Sequence, residues 1–490
     1  MYREQIDAYI DSKKDEMLKD LSELVAIDSI RQEPQEGKPY GEGAAAALDA
    51  MGRMMERCGL SVKEYAHHAV AGDFGEGEKE LDILAHLDVV PVTKDWTVTQ
   101  PFEAKVVGDR IYGRGTSDDK GPAIAALYAI RAMRDLNIPL KRSVRLICGS
   151  DEECGSSDLQ YYYGIEKEAP CTFTPDADYP LINLEKGRLA KAFTCEVPDA
   201  GNGQKKGGAV LAFSAGDKVN VVPGKAEMAV AGIGREELLP LLENAQEITK
   251  AELTLEPCEV NTSGCAGGTC ENPAFRILVK GMSAHGALPY HGNNALTALL
   301  ELVRVMRAEG FLADDQVAEK LVGAATVFPH GDTAGKGAGI EMKDEVSGAL
   351  TQNLGILKYE KEKGILYGEF DIRAPLCAND DNLTAVMKDA LAGAGFAMEE
   401  GPMRKPHYVP ADSPFVKTLL ESYERYFGKK GTPLYTGGGT YVHDLERGVA
   451  FGCMVEGVDN HMHGDDEFME IPMLLMSAKI FADVIVKLCV

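Results

Sequence analysis

Positive charge is scarce in this sequence. Its 51 Lys and Arg face 77 Asp and Glu, a formal net charge of −26. That balance argues against nucleic acid or an anionic membrane as partner. Long apolar runs are also missing. The opening MYREQIDAYIDSKKDEM is polar and acidic, without the apolar stretch of a secretory leader. The most apolar late segment, IPMLLMSAKIFADVIVKLCV, carries Lys479 and Asp483 at helical spacing and reads as a packed amphipathic helix, not a membrane span. The 11 cysteines are odd in number and scattered, which suits reduced thiols in a cytoplasm and not a disulfide framework. Cys258, Cys265 and Cys270 lie among glycines with no fourth ligand at a finger-like spacing, so a zinc knuckle is disfavoured. No fixed-period repeat and no low-complexity tract occurs. Tryptophan appears once, at Trp96, where a pocket wall and ordinary packing are equal readings.

What is present is an alternation of buried strands and helices over 490 residues, too many for one ordinary core. LDILAHLDVV, SVRLICGS and PCTFTPDA read as buried strands, with helices over 43–58 and in PAIAALYAIRAMRDLN. This order predicts an α/β layer with a mostly parallel sheet, in which ligands gather beyond the carboxyl ends of the strands. From 187 to about 403 the character changes to Gly-rich loops, strands such as FRILVKGMSAH and GILYGEFDIRAP, and helices in GREELLPLLENAQEI, NNALTALLELVRVMRAEG and NLTAVMKDALAGAG. This stretch reads as an α+β insert. The expected organisation is an α/β domain over 1–186, an inserted domain over 187–403, and the rest of the α/β domain over 404–490.

Candidate chemistry sits at the ends of the strands. His86 and Asp88 share one face of a strand, where a carboxylate can fix the imidazole tautomer and leave the other ring nitrogen for a metal. YGRGTSDDKGP places Asp118 and Asp119 in a glycine-rich loop before a helix. Acids at the critical positions weigh against a phosphate loop, though Lys120 is beside them. SDEECG follows a strand with Asp151, Glu152 and Glu153 in a row; neighbouring side chains point apart, so one glutamate can bind metal while the next meets a bound water. TPDADYP adds Asp176 and Asp178, and NHMHGDDE adds His461, His463, Asp465, Asp466 and Glu467. Mixed nitrogen and oxygen ligands suit zinc, manganese or cobalt more than calcium. Two histidines with a shared aspartate suggest two metals about 3.5–4 Å apart.

HLDVVP, GRGTSDDKG, DEE, PDADYP and MHGDDE together resemble the motif set of the M20 metallopeptidase family, and GRGTSDDKGP and TPDADYPLINLEKG look closest to its dipeptidase V branch. The resemblance spans nearly the whole chain. It implies a zinc-peptidase-like α/β catalytic domain with a mostly parallel central sheet, interrupted by an α+β lid domain, and a centre of two Zn2+ per chain, with Mn2+ or Co2+ as substitutes. By resemblance, His86, Asp118 and Asp176 hold one metal and Asp118, Glu153 and His463 the other, with Asp118 bridging. Asp88 orients His86, and Glu152 is the general base. His285 polarises the scissile carbonyl, Asn220 and Arg373 grip the substrate, and Gly437, Gly438 and Gly439 of TGGGTY line the pocket. The implied reaction is hydrolysis of unblocked dipeptides by a cytoplasmic enzyme, with an enlarged lid that suits a monomer and leaves a dimer open.

Two departures stand out. The last motif has Asp466 where the family usually has asparagine, which puts the support of His463 in question. His291, beyond His285, takes no role from the resemblance and reads as a surface histidine. Three rivals remain: an M20 amidase acting on N-acyl amino acids or succinyl-diaminopimelate, which would share the same metal site; a catalytically inactive metal-binding or regulatory protein; and a phosphate-binding module.

Overall fold

The computed structural model describes residues 2–197, 208–258, 274–312 and 315–490. Cys265 and Cys270 lie outside these residues; every described cysteine, Cys258 among them, is a free thiol. The chain divides into two compact units, Met1–Glu185 with His407–Val490, and Lys186–Pro406.

The first unit is built on a nine-stranded sheet. At its centre Ser143–Gly149, Lys79–His86, Cys171–Thr174 and Gly448–Ala450 lie side by side and parallel. Antiparallel pairs flank them, Ser61–Tyr65 with Ala69–Phe74 at one edge and Ile182–Glu185 with His407–Tyr408 at the other. The central strands are covered on both faces, which is why they read as near-continuous apolar runs; Ser143–Gly149 is buried at every position. The helix Lys120–Asp135 is buried along most of its length and packs against the C-terminal helix Ile471–Cys489. Lys479 and Asp483 of that helix pair with Asp11 and Arg425, as expected of a packed amphipathic segment. Among the described residues no helix is long and apolar enough to cross a membrane.

The second unit has its own apolar core and an antiparallel eight-stranded sheet. Strict alternation follows from covering one face only: in Lys225–Ala231, Ala226, Met228 and Val230 are buried while Lys225 and Glu227 are exposed. The helix Gln316–Val327 was not expected from sequence. Its β-branched residues and Gly323 carry little helix propensity, and packing of Val317, Leu321 and Ala324 supplies what propensity does not. Gly323 is required there, because a Cβ would stand 2.8 Å from the carbonyl oxygen of Ala394.

Candidate metal centre

Three parallel central strands deliver side chains to the carboxyl end of the first unit's sheet. Lys79–His86 ends on His86, Ser143–Gly149 runs into Ser150–Glu153, and Cys171–Thr174 precedes Asp176. His86 lies level with Gly149 in the register. The loop before Lys120 brings Asp118, and the loop before the strand Phe468–Glu470 brings His463.

His86 Nε2 stands 2.9 Å from Asp118 Oδ1 and 3.8 Å from Asp176 Oδ2. His463 Nε2 stands 2.8 Å from Asp118 Oδ2 and 3.1 Å from Glu153 Oε1. Asp118 therefore turns one oxygen to each imidazole. Two groups result, His86–Asp118–Asp176 and Asp118–Glu153–His463, each with its ligand atoms within 4.8 Å of one another. One imidazole nitrogen with two carboxylates is a donor set that fits zinc, manganese or cobalt. Asp119, by contrast, faces away from the imidazoles: its Oδ2 accepts from the backbone N–H of His86 at 3.1 Å. Lys120, the cation a phosphate loop would use, is fully buried and donates to the carbonyls of Leu24 and Ile27 at 3.0 and 2.9 Å.

Asp88 lies just beyond the strand, which ends at His86, and meets the imidazole through two of its oxygens. Its carbonyl oxygen is the nearer partner of His86 Nδ1, at 3.1 Å, with the carboxylate at 3.4 Å. In the neutral ring this puts the proton on Nδ1 and leaves the Nε2 lone pair towards Asp118. The Asp88 carboxylate accepts from the backbone N–H groups of Glu152 and Glu153 at 3.2 and 3.1 Å, tying His86 to the acidic turn.

Charge in the cluster is badly out of balance. Burial opposes protonation of His86, yet Asp118, Asp176 and Asp88 lift its pKa well above the ordinary value. Bonds to Asp118 and Glu153 push His463 up to about 10. Burial, reinforced by Asp176, Glu153 and Asp88, raises Glu152 far above the usual carboxylate range, and burial also raises Glu153 and Asp176. Burial would raise Asp118 too, but the two imidazoles outweigh it and hold it down. Carboxylates and imidazoles whose pKa values are pushed up together mark a site short of positive charge.

The profile of peptidase family M20/M25/M40 matches residues 83–487. This chain belongs to that family. Among M20-type relatives, a Bacillus subtilis protein named "Putative dipeptidase YtjP" is 35% identical over 481 residues, 97% of this chain and 98% of its own. "Putative dipeptidase SSP1012" of Staphylococcus saprophyticus is 30% identical over 100% of both chains. The M20 fold recurs in the crystal structure of human carnosine dipeptidase 1, at a TM-score of 0.56 and 15% identity, covering 99% of this chain and 98% of the other. A tripeptidase from Staphylococcus aureus matches at a TM-score of 0.56 and 14% identity, covering 97% and 98%.

Several residues that support the M20 centre were given no supporting role from sequence, some of them, such as Glu467, although their motif was noted. Glu467 is completely buried. It accepts from Arg114 Nη1 at 2.6 Å and from the backbone N–H groups of Gly115 (3.1 Å), Ser117 (2.9 Å) and Asp118 (3.3 Å). Arg114, also buried, donates through Nη2 to the Gly464 carbonyl at 3.0 Å. One ion pair thus holds both the Asp118 loop and the His463 loop. Trp96 packs under this clamp, with the Arg114 guanidinium 5.5 Å from its ring centroid. Asp466 does not support His463; it accepts from Thr97 and Val98, with backbone distances of 2.9 and 2.8 Å, so the departure at this position falls on a neighbouring loop. His461, His463 and Asp466 all adopt positive φ (58°, 63° and 57°), local strain that the clamp and these bonds sustain. Asp158 accepts from the N–H groups of Ser150 (2.6 Å) and Asp151 (2.9 Å) and from the Tyr441 hydroxyl. The Tyr441 ring lies edge-on to His86 at 6.0 Å. Glu185 receives the Thr440 hydroxyl at 2.7 Å and His443 Nδ1 at 2.8 Å, anchoring the end of the loop Gly437–Gly439. These supporting residues are single polar side chains that meet only on folding. Their one signal in the sequence is that Arg114 and Glu467 lie inside the quoted motifs.

His285, Asn220 and Arg373 belong to the second unit, and it brings them to a common neighbourhood. The segments of Val221 and His285 pair, with Gly286 N–H donating to the Asn220 carbonyl at 2.7 Å. His285 is exposed, and its Nδ1 accepts from Ala287 N–H at 3.2 Å, which puts the proton of the neutral ring on Nε2. Thr351, opposite Arg373 in the sheet, donates to the Ala287 carbonyl at 3.1 Å. Arg373 is held by Asp371 at 2.7 Å. His291 is exposed in the turn Pro289–His291.

Proposed function

We propose that this chain is a metal-dependent dipeptidase of the dipeptidase V type, which hydrolyses unblocked dipeptides with a pair of zinc ions. The observation that carries the reading is Asp118, whose two oxygens each face a histidine-bearing ligand group in a chain of the M20 family. The names of relatives aligned over essentially the whole length support a dipeptide substrate.

His86, Asp118 and Asp176 would hold one ion, and Asp118, Glu153 and His463 the other. Bound there, the pair would supply Lewis acidity and lower the pKa of a water molecule. Glu152 takes the proton of the attacking water and returns it to the leaving amine. Nε2–H of His285 donates to the developing oxyanion. Arg373 is suited to a bidentate grip on the free carboxylate of the substrate; Asn220 and Gly437–Gly439 take the substrate-binding roles that the family resemblance implies.

The test is an assay of the purified, metal-loaded chain on unblocked dipeptides and on N-acyl amino acids, with Glu152→Ala in parallel. The expected result is the highest kcat/KM on unblocked dipeptides. Glu152→Ala should lower kcat by about 10²–10⁴-fold at unchanged metal stoichiometry. A higher kcat/KM on N-acyl amino acids would move the chain to the amidases of the same family. Loss of a metal on mutation would mean that Glu152 and Glu153 have exchanged roles.

A further inference from the structure

Asp151 opens the acidic run Asp151–Glu152–Glu153, yet it stands in neither ligand group. It is buried, with 1% of its surface exposed. Its polar groups are all engaged. Oδ2 accepts from the backbone N–H and the hydroxyl of Ser157 at 3.1 and 2.5 Å. Its backbone N–H donates to Asp158 at 2.9 Å, and its carbonyl accepts from Ser156 N–H at 2.7 Å. Oδ1 pairs with the guanidinium of Arg31, which lies 120 residues earlier in the chain.

Arg31 is itself held in place. The segment before it runs beside the end of the strand that carries His86: Ser29 Oγ donates to the Leu87 carbonyl at 2.6 Å, and Ile30 pairs with Val89. The guanidinium carbon lies 5.2 Å from the Tyr40 ring centroid. The Tyr40 hydroxyl in turn meets Ser157 Oγ at 3.0 Å. The charge of Arg31 reaches the turn: burial and the carboxylates of Asp88, Glu153 and Glu152 raise the Cys154 thiol, and Arg31 pulls it back.

The turn Glu152–Cys154 is a single 3-10 turn, and so short a piece has little stability of its own. Two anchors fix it instead. On one side the Asp88 carboxylate holds the N–H groups of Glu152 and Glu153. On the other stands the Arg31–Asp151 pair. Without Arg31, Asp151 would be a buried carboxylate lacking its cation among other carboxylates, and removing one partner of a buried pair is strongly unfavourable. The turn then relaxes towards solvent, and Glu152 and Glu153 move with it.

We propose that Arg31 is a positioning residue of the metal centre: through Asp151 it fixes the turn that aims Glu153 at one ion and Glu152 at the attacking water. The first half depends only on Glu153 as a ligand; the second rests on the dipeptidase reading. The pattern expected is selective. The ion of Asp118, Glu153 and His463 loses a well-placed ligand. The ion of His86, Asp118 and Asp176 keeps all of its own.

The test uses the full-length chain, stripped of metal and titrated with Zn2+ against a chromophoric chelator, then reloaded and assayed on the best dipeptide of the wild type. Arg31→Met should weaken one zinc equivalent about 10–100-fold and leave the other unchanged. At saturating zinc its kcat should fall about 10–100-fold with little change in KM. Arg31→Lys keeps the charge without the planar fork and should recover part of both losses. Asp151→Asn should repeat the pattern and add little on top of Arg31→Met, because the two residues act as one unit; Asp151→Asn and Arg31→Lys carry the test if Arg31→Met does not fold. A purely structural role would lower the melting temperature and leave both zinc affinities and kcat at wild-type values, which overturns the proposal. Equal weakening of both ions overturns it as well. A wild-type chain that binds two zinc ions but cleaves no dipeptide would instead fail the dipeptidase reading, while the zinc titrations still decide the role of Arg31.

Discussion

Replacing Glu467 by alanine removes the carboxylate on which two ligand loops hang. The perturbation can be sized from its partners. Arg114 and Glu467 have side-chain exposures of 2% and 1%, so solvent screening offers little relief. An uncompensated buried charge of this kind costs roughly 3–5 kcal/mol. The N–H groups of Gly115, Ser117 and Asp118 lose their acceptor as well, at about 1 kcal/mol or more for each that stays buried. The sum rivals the whole stability of an ordinary domain, about 5–15 kcal/mol, so the Asp118 loop should open before the unit unfolds. Metal affinity should then fall at least 10–100-fold, as for other residues that orient ligands. Guanidinium unfolding and chelator competition read the two effects separately. The sharper test is the double variant Arg114→Met with Glu467→Met. Exchanging a buried ion pair for apolar side chains is often neutral or stabilising. Here it should not be, because three backbone donors remain without an acceptor. A double variant with wild-type stability and wild-type metal affinity would refute the clamp.

Other expectations follow from the same geometry. His285→Ala should lower kcat on a good dipeptide by about 10²–10³-fold with little change in KM or metal content; wild-type kcat would remove it from the oxyanion. Chelation should abolish turnover and lower the melting temperature, since ions held at 100–1,000 times Kd stabilise by about 2.7–4.1 kcal/mol; full activity in a chain assayed free of metal would end the hydrolase mechanism. Asp82 is fully buried, and burial pushes it from 3.8 up to about 7. The folded chain holds this proton where the unfolded chain releases it, so stability falls as pH rises from about 4 to about 7 and is flat beyond. The shift corresponds to roughly 4 kcal/mol, and Asp82→Asn should flatten that slope in denaturant midpoints; an unchanged slope would show that Asp82 does not carry it.

The strands and helices that matter most were legible from the chain itself, because buried parallel strands are continuously apolar and single-face strands alternate, patterns written locally in residues such as 143–149 and 274–280. The residues His86, Asp118, Glu152, Glu153, Asp176 and His463 could be named from five short motifs in order. Nothing local, however, says that Asp118 turns one oxygen to each imidazole while Asp119 turns to the backbone of His86. That outcome depends on where Glu467 hangs a loop more than 340 residues away in sequence. The helix Gln316–Val327 escaped notice because its stability comes from contacts and not from propensity. The carboxylate of Asp88 was read as the partner of His86; the folded chain adds the Asp88 carbonyl as the nearer partner of Nδ1 and gives the carboxylate the backbone N–H groups of the acidic turn as well. Periodicity records which side of an element is dry, so it survives in one dimension. Hydrogen bonds between single polar groups carry no period, and only the folded chain decides which donor meets which acceptor.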